Sequence, residues 1–254
     1  MKRLSALVLM ATIVSAAAIA CTDISGSSTA VLSIQFDTLP APAVVIGDTL
    51  RDTTGAIVLP VVRAFNFKGG QVTPVRVFFQ SPDSGITVDS ASGMIVGDSL
   101  RSTPARVVAT VGNLQAIQHV DITLRPDSIQ AVNAADTINY AILDSTKNVA
   151  QVQVKVSHGT APNDSAVKSY IVSFQIVYQP TPGLGELLNQ NGRPSVVDTT
   201  DASGIAARTI RLHPVFLSSA TAVDSIVVNA TTRYRGNPVG GSPVRIVVLL
   251  KPVS

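Results

Sequence analysis

The side chains of this sequence that could act as a general base near neutral pH are its three histidines, His119, His158 and His213. Nucleophilic catalysis would need one of them beside an activated Ser or Cys, with an acid to orient the ring. The sequence has no Gly-x-Ser-x-Gly elbow, and each histidine stands where a surface or turn position explains it. We therefore expect no catalytic residues, and we predict that the protein is not an enzyme.

The acidic residues occur in patterns that are typical of turns and not of a metal-binding site. Glu186 is the only Glu among 16 acidic residues, and most of the Asp residues adjoin Ser, Thr or Gly, as in turn and cap motifs. Asp198 and Asp201, with neighbouring carbonyls, could form an oxygen cage for calcium. The same residues are typical of an Asp-rich hairpin, which we favour. Clustered His and Cys ligands for zinc are lacking, so we predict no metal-binding residue and no cofactor.

A stretch rich in Pro and Gly, Gln179 to Val197, is predicted to be a long loop between two strands. Its leucines, Leu184, Leu187 and Leu188, could present an apolar patch to a protein partner, or they could cover the end of a domain. The region 179–201 is therefore the candidate ligand-binding region of the chain.

Sugar-binding modules stack pyranose rings on exposed aromatic side chains, best of all on Trp, and this chain has no Trp. Tyr170 and Tyr178 alternate with polar residues on one predicted core face. Tyr140 and Tyr234 remain as possible sugar contacts.

The amino terminus has the pattern of an export signal. Lys2 and Arg3 are followed by an apolar run from Leu4 to Ala20, and the only Cys of the chain, Cys21, comes next. The apolar run is short for a membrane span, which needs about 20 residues. We predict a signal peptide at residues 1–20.

The residues Ala18, Ile19, Ala20 and Cys21 resemble the lipobox of bacterial lipoproteins, with Ala18 in the place of the usual Leu. The resemblance implies that Cys21 receives a diacylglyceryl thioether, becomes the new first residue and is acylated on its amine, so that the lipid binds the membrane. Residues 21–30 would then comprise the lipidated Cys and a small polar tether. Thr22 departs from the Asp that retains such proteins at the inner membrane, which favours the outer membrane. Plain secretion with a free thiol and an uncleaved membrane anchor are the alternatives.

Composition indicates an all-β protein without a nucleic-acid partner. Val, Ser and Thr are abundant and Glu is scarce, which suits strands and turns more than helices. The net charge is +3, and two of the positive charges, Lys2 and Arg3, lie in the predicted signal peptide. No run of Lys and Arg forms a basic stripe.

Period-two alternation of apolar and polar residues fills the exported part, and turn signals separate the alternating segments. Examples are Val152 to Val156 and Arg245 to Leu250. This pattern predicts two β-sandwiches, one at residues 31–125 and one at 126–254, with a boundary near Pro126.

Two motifs resemble bacterial immunoglobulin-like domains. The segment Ile86 to Gly97, followed by Ala105 to Gly112, is similar to the group 2 type. The segment Thr200 to Ala206, TDASGIA, is similar to the turn of the group 1 type that occurs in invasin and intimin. The resemblance implies two tandem immunoglobulin-like sandwiches.

These features together predict a non-enzymatic, lipid-anchored cell-envelope protein for adhesion, surface display or envelope scaffolding. It would contact the membrane through Cys21 and a protein partner through edge strands or the segment 179–197. The alternative is an envelope module that binds a polysaccharide or calcium with its 179–201 region.

Overall fold

The computed structural model describes residues 30–141, 148–213 and 223–253, and all regular elements in these ranges are β-strands. The predicted all-β class is therefore confirmed. Two groups of strands follow one another along the chain, and we call them the first sandwich (residues 31–125) and the second sandwich (residues 126–254).

The first sandwich contains eight strands. They are β1 (Ser33–Phe36), β2 (Ala43–Val45), β3 (Val62–Phe65), β4 (Phe78–Gln80), β5 (Ile86–Val88), β6 (Ile95–Gly97), β7 (Ala105–Val111) and β8 (Leu114–Thr123). One sheet has the order β2-β8-β7-β4, and the short antiparallel pairs β1–β3 and β5–β6 form the remaining strand pairs. β2 is parallel to β8, whereas β7 is antiparallel to β8 and to β4.

The described residues of the second sandwich form twelve strands. They are β9 (Ser128–Ala131), β10 (Ala135–Tyr140), β11 (Val149–His158), β12 (Ser165–Ala166), β13 (Ile171–Tyr178), β14 (Gly185–Leu188), β15 (Val197–Thr199), β16 (Ile205–Leu212), β17 (Asp224–Thr231), β18 (Arg233–Tyr234), β19 (Asn237–Pro238) and β20 (Val244–Pro252). One sheet has the order β10-β20-β17-β13-β15 and the other β12-β11-β16-β14, with β9 also paired to β11.

The pairing in the second sandwich is that of an immunoglobulin-like fold. The series β9, β11, β16, β14 corresponds to the A-B-E-D sheet, and β20, β17, β13 corresponds to the G-F-C sheet. In both sandwiches an early strand also lies parallel to the last long strand, β2 beside β8 and β10 beside β20. The strand topology therefore agrees with the predicted fold.

Alternation along the strands explains why these residues pair as they do. On β11 the side chains of Val152, Val154 and Val156 are fully buried, and the polar side chains between them point to the other face. On β20 Ile246 and Val248 are buried in the same way. β-branched side chains suit such half-buried pleated surfaces.

Buried apolar side chains form two clusters. One lies between residues 36 and 122 and includes Phe36, Phe79 and Ile95; the other lies between residues 129 and 250. The second cluster draws on both sheets of its sandwich, so the core lies between the sheets. Ile171 of the second sandwich packs against the first cluster, which brings the two sandwiches into contact.

Candidate functional site

The predicted lipidation residue, Cys21, and the predicted signal peptide lie outside the described residues, so both stay predictions. In the described part of the chain, no helix has the length and apolar character needed to cross a membrane.

The segment 179–197 is not the long loop that the sequence predicts. It contains the strand β14, which pairs with β16, and a tight turn in which Asn189 N–H donates to Arg193 O at 2.9 Å. Its leucines are buried: Leu184 is fully covered and Leu187 is 5% exposed. Pro and Gly mark the turns on either side of a four-residue strand, and a strand that short has too few alternating positions to be recognised. Of the two roles predicted for these leucines, the structure shows the one that closes the sandwich.

Asp198 pairs with a buried cation. Arg208 lies on the inward-facing row of β16 and is only 4% exposed, and its Nη1 is 2.9 Å from Asp198 Oδ1. Asp198 Oδ2 also accepts the Ala207 N–H at 2.8 Å. Because an unpaired charge is costly inside a protein, the carboxylate of Asp198 is committed to Arg208.

Asp201 closes the turn before β16. Its Oδ1 accepts the N–H groups of Ser203 at 2.8 Å and Ile205 at 3.0 Å. Gly204 completes the turn with a φ of +76°, where a side chain would be strained. These contacts match the favoured prediction of an Asp-rich hairpin. Within the described ranges, no group of three or more His, Cys, Asp or Glu residues could hold a metal ion.

Tyr170 packs against the core of the second sandwich as predicted, but two other tyrosines are placed differently from the prediction. Tyr140, a predicted sugar contact, is 1% exposed and belongs to the core of the second sandwich, so it cannot stack on a sugar. Tyr178, predicted on the core face, is 49% exposed, because a register shift between Ile176 and Tyr178 turns the end of β13 outward. Tyr234 is partly buried where the two sandwiches meet.

The histidines occupy different places in the fold. His119 is exposed on β8 of the first sandwich, His158 ends β11, and His213 follows β16. Since β11 and β16 are antiparallel and Val149 lies opposite Arg211, His158 and His213 are at opposite ends of one sheet.

The most elaborate polar cluster is centred on Asp48, where the two sandwiches meet. The Asp48 side chain is 3% exposed. It accepts a hydrogen bond of 3.0 Å from Nη2 of Arg51, which belongs to its own sandwich, and one of 2.8 Å from Nε of Arg235, which belongs to the second sandwich. The Thr49 N–H also donates to it at 2.8 Å. The guanidinium of Arg235 in addition lies 5.3 Å from the centre of the Tyr234 ring.

The electrostatics of this cluster keep Asp48 ionised. Burial alone would raise the pKa of Asp48, but hydrogen bonds from Arg235, Arg51 and the Thr49 N–H outweigh it and hold the pKa well below the usual range of a carboxyl. Burial, together with the negative charge of Asp48, raises the pKa of the Tyr234 hydroxyl. The tyrosine therefore stays neutral, and the cluster keeps its charges across the physiological pH range.

The backbones of the two sandwiches touch beside this cluster. A Cβ at Gly55 would lie 2.0 Å from Gly236 N, so only glycine fits at that position. Gly236 belongs to the turn between β18 and β19, in which Arg235 adopts a φ of +50°. This uncommon conformation orients Arg235 towards Asp48.

A second set of contacts ties the start of β13 to the end of β8. Thr123 Oγ1 donates to Lys168 O at 2.7 Å, and Ser169 Oγ donates to Asp121 Oδ2 at 2.7 Å. Lys168 Nζ lies 3.5 Å from Asp121 Oδ1. We call the Asp48 cluster and these contacts together the joint.

A small cleft of about 80 Å³ lies in the joint. Its lining includes Asp48, Arg51, Tyr170 and Arg235. These side chains bond to each other or to the backbone, as when the Tyr170 hydroxyl donates to Arg233 O at 2.8 Å. The arrangement therefore serves to fasten the two sandwiches together. The sequence gives no motif for it, because its residues come from segments that are far apart in the chain.

The strands and cores define the chain as an all-β protein of β-sandwich domains. A scan against protein-family models finds no match, and a search of curated proteins finds none either. Among solved structures, domains 4 and 5 of the S-layer protein SbsC align with 88% of this chain and 99% of their own length, at 11% identity and a TM-score of 0.32. The D0–D1 domain of intimin aligns with 88% of this chain and 99% of its own length, at 15% identity and a TM-score of 0.28.

Invasin, described as a bacterial integrin-binding protein, aligns with 87% of this chain at 12% identity and a TM-score of 0.32, and the alignment spans 40% of invasin. At such scores these likenesses do not decide function. The fold rests on the strand order and cores of the chain itself.

Proposed function

We propose that the protein is a non-enzymatic, lipid-anchored component of the bacterial cell envelope, with two immunoglobulin-like sandwiches that serve adhesion, surface display or envelope scaffolding. Cys21 carries the lipid, and Thr22 after it favours the outer membrane. The observation that carries the proposal is the joint, which fastens the second sandwich to the first at two separate places.

The joint suits a protein whose task is to hold a surface at a fixed position. Asp48 and Arg235 form one contact, and Ser169 with Asp121 forms another. Two contacts restrict rotation about the connection at Pro126 more than one contact could. A rigid pair of sandwiches transmits force from an anchor to a binding surface without folding back onto the membrane.

Binding of a protein partner would use the edge of a sheet in the second sandwich. β15 ends its sheet, and the side chains of Val196 and Val197 are 57% and 40% exposed there. Val177 and Tyr178, at the end of the neighbouring β13, are exposed as well. An extended peptide could add to this edge by main-chain hydrogen bonds, as in β-augmentation.

The anchor is tested by expressing the full chain in a bacterial host beside a Cys21→Ser variant. We expect the wild-type protein to lose its first 20 residues, to gain acyl mass and to partition into detergent, while the variant stays in water. If both proteins are unacylated and water-soluble, the anchor is wrong and a secreted binding protein becomes the better account.

A further inference from the structure

The described chain begins at one end of the first sandwich, beside a tight turn. Leu32 N–H donates to Phe65 O at 2.8 Å, which fastens the start of the sandwich to the end of β3. The turn Asn66–Gly69 follows directly, and Gly69 N–H donates to Asn66 O at 3.0 Å. Two extended residues span about 7 Å, so the tip of this turn lies close to Leu32.

The turn holds an aromatic ring and a cation together at its tip. Asn66 Oδ1 accepts the N–H groups of Lys68 and Gly70, both at 2.9 Å, which fixes the backbone of the turn. Lys68 Nζ lies 5.4 Å from the centre of the Phe67 ring. Leu32 is 62% exposed, Lys68 is exposed and Phe67 is half-buried. We call Leu32, Phe67 and Lys68 the tip patch.

The tip patch lies at the end of the first sandwich away from the joint. Gly55 contacts the second sandwich, and the chain runs from there through β3 to the turn. Ala41 lines the cleft of the joint, and β1 leads back from it to Leu32. Both strands therefore extend between the joint and the tip patch.

The length of chain before the sandwich limits how far the tip patch can be from a lipid on Cys21. Nine residue steps separate Cys21 from Ala30, and a fully extended chain spans about 30 Å over that number. Any less extended path brings the first sandwich nearer to the bilayer. Ala30, where the described chain begins, is two residues from Leu32 of the tip patch.

We propose that the tip patch rests on the phospholipid surface of the membrane that holds the anchor. This inference depends on the proposed lipidation of Cys21. The Phe67 ring and the Leu32 side chain enter the boundary between headgroups and acyl chains, and the Lys68 ammonium contacts lipid phosphates. Such a small patch binds a membrane weakly by itself. The anchor makes the contact intramolecular, so a weak contact is sufficient.

Fluorescence of the lipidated full chain in phospholipid vesicles tests this contact directly. The chain has no Trp, so a Phe67→Trp variant carries a single reporter at the tip patch. Tyr178→Trp is the matched control, since Tyr178 is 49% exposed at the end of β13 that lies away from the joint. Each protein is reconstituted into vesicles with and without brominated acyl chains, after intact mass has established its acylation.

We expect brominated lipid to remove about half of the emission of the Phe67→Trp protein, because interfacial side chains bury about 5–10 Å deep, and to leave the Tyr178→Trp protein unchanged. Adding Leu32→Ser and Lys68→Glu to the Phe67→Trp protein should abolish most of the quenching. If the acylated Phe67→Trp protein is not quenched, or is quenched no more than the control, the tip contact is wrong while the anchored function stands. If the protein carries no acyl chains, the anchored function and the tip contact both fall.

Discussion

The ion pair between Asp48 and Arg235 is one of the two sets of contacts in the joint, and we expect it to contribute to the rigidity of the joint. The Asp48→Asn substitution keeps the shape of the side chain and removes the charge that Arg235 and Arg51 share. Hydrogen bonds to charged groups each contribute about 1.5–3 kcal/mol. The Arg235 side chain is 51% exposed and can be rehydrated, so its share is small. We expect the free energy of unfolding to fall by about 2–3 kcal/mol.

A double-mutant cycle in urea isolates the contact across the joint. Asp48→Asn, Arg235→Gln and the double variant should show a favourable coupling energy that is smaller than the whole loss caused by Asp48→Asn. Small-angle scattering should report a wider range of shapes for both single variants. Arg51→Gln is the matched control, because it removes a partner of the same carboxylate within the first sandwich and should leave the shape unchanged. Additive effects together with unchanged scattering would refute the role of this ion pair.

The pH dependence of stability follows from the depressed pKa of Asp48. A carboxyl whose pKa is lower in the folded than in the unfolded chain stabilises the fold at all pH values above the unfolded value of about 3.9. The contribution is lost as the pH falls below that value towards the folded pKa. Wild-type stability should therefore drop more steeply than that of Asp48→Asn when urea titrations are repeated from pH 5 down to about pH 2.

Three further substitutions test other parts of the structure, each by urea denaturation. Gly55→Ala places a Cβ 2.0 Å from Gly236 N at a φ of +90° and should destabilise the protein by more than about 2 kcal/mol. Small-angle scattering should also show a more open arrangement of the two sandwiches, and an unchanged scattering curve would mean that the backbones do not touch. Asp198→Asn leaves Arg208 buried without its carboxylate and should lower the free energy of unfolding by about 3–5 kcal/mol. Added calcium should not alter the urea midpoint of the wild-type protein, and a calcium-dependent shift would instead support a cation site. Leu187→Ala removes a side chain that is 5% exposed and should cost about 2–4 kcal/mol, whereas a loss below about 1 kcal/mol would show that it does not pack in the core.

The sequence predicts the fold well wherever strands are long and one face is buried. β11 has ten residues and β20 has nine, and the alternate positions Val152, Val154 and Val156 on β11 and Ile246, Val248 and Leu250 on β20 are buried as the pattern indicates. The turn around Asp201 is also where TDASG places it, because Asp and Gly have distinct roles in such a turn. Local chemistry decides these features, so local sequence reveals them.

Short strands and bulges are harder to predict, because few residues carry their pattern. β14 has only four residues. It follows a Pro- and Gly-rich stretch, and such a stretch is typical of a loop. The outward turn of Tyr178 depends on a register shift against β17, which no periodicity within β13 indicates. Tyr140 alternates with polar neighbours on β10, but only the pairing with β20 decides that it faces the core.

The joint cannot be predicted from the sequence, and the physical reason is a different one. Asp48 and Arg235 are 187 residues apart, and each lies in a turn where an isolated charged residue is typical of an exposed surface. Asp48 is only 3% exposed, and Arg235 of the second sandwich is one of the groups that contact it. Ion pairs between two domains follow no characteristic sequence spacing, because their geometry depends on how the two folded domains fit together.

The joint and the tip patch together give the first sandwich two different ends. At one end Asp48 and Asp121 bind residues of the second sandwich, and at the other end Phe67 and Lys68 stand beside the start of the described chain. A lipid on Cys21 would therefore be tethered to the end of the first sandwich that carries the tip patch. The exposed edge of β15 belongs to the second sandwich, so a rigid joint would hold it away from the bilayer. If the proposed lipidation of Cys21 holds, the order of anchor, tip patch, joint and edge strand along the molecule would allow the protein to present the β15 edge to a partner outside the membrane.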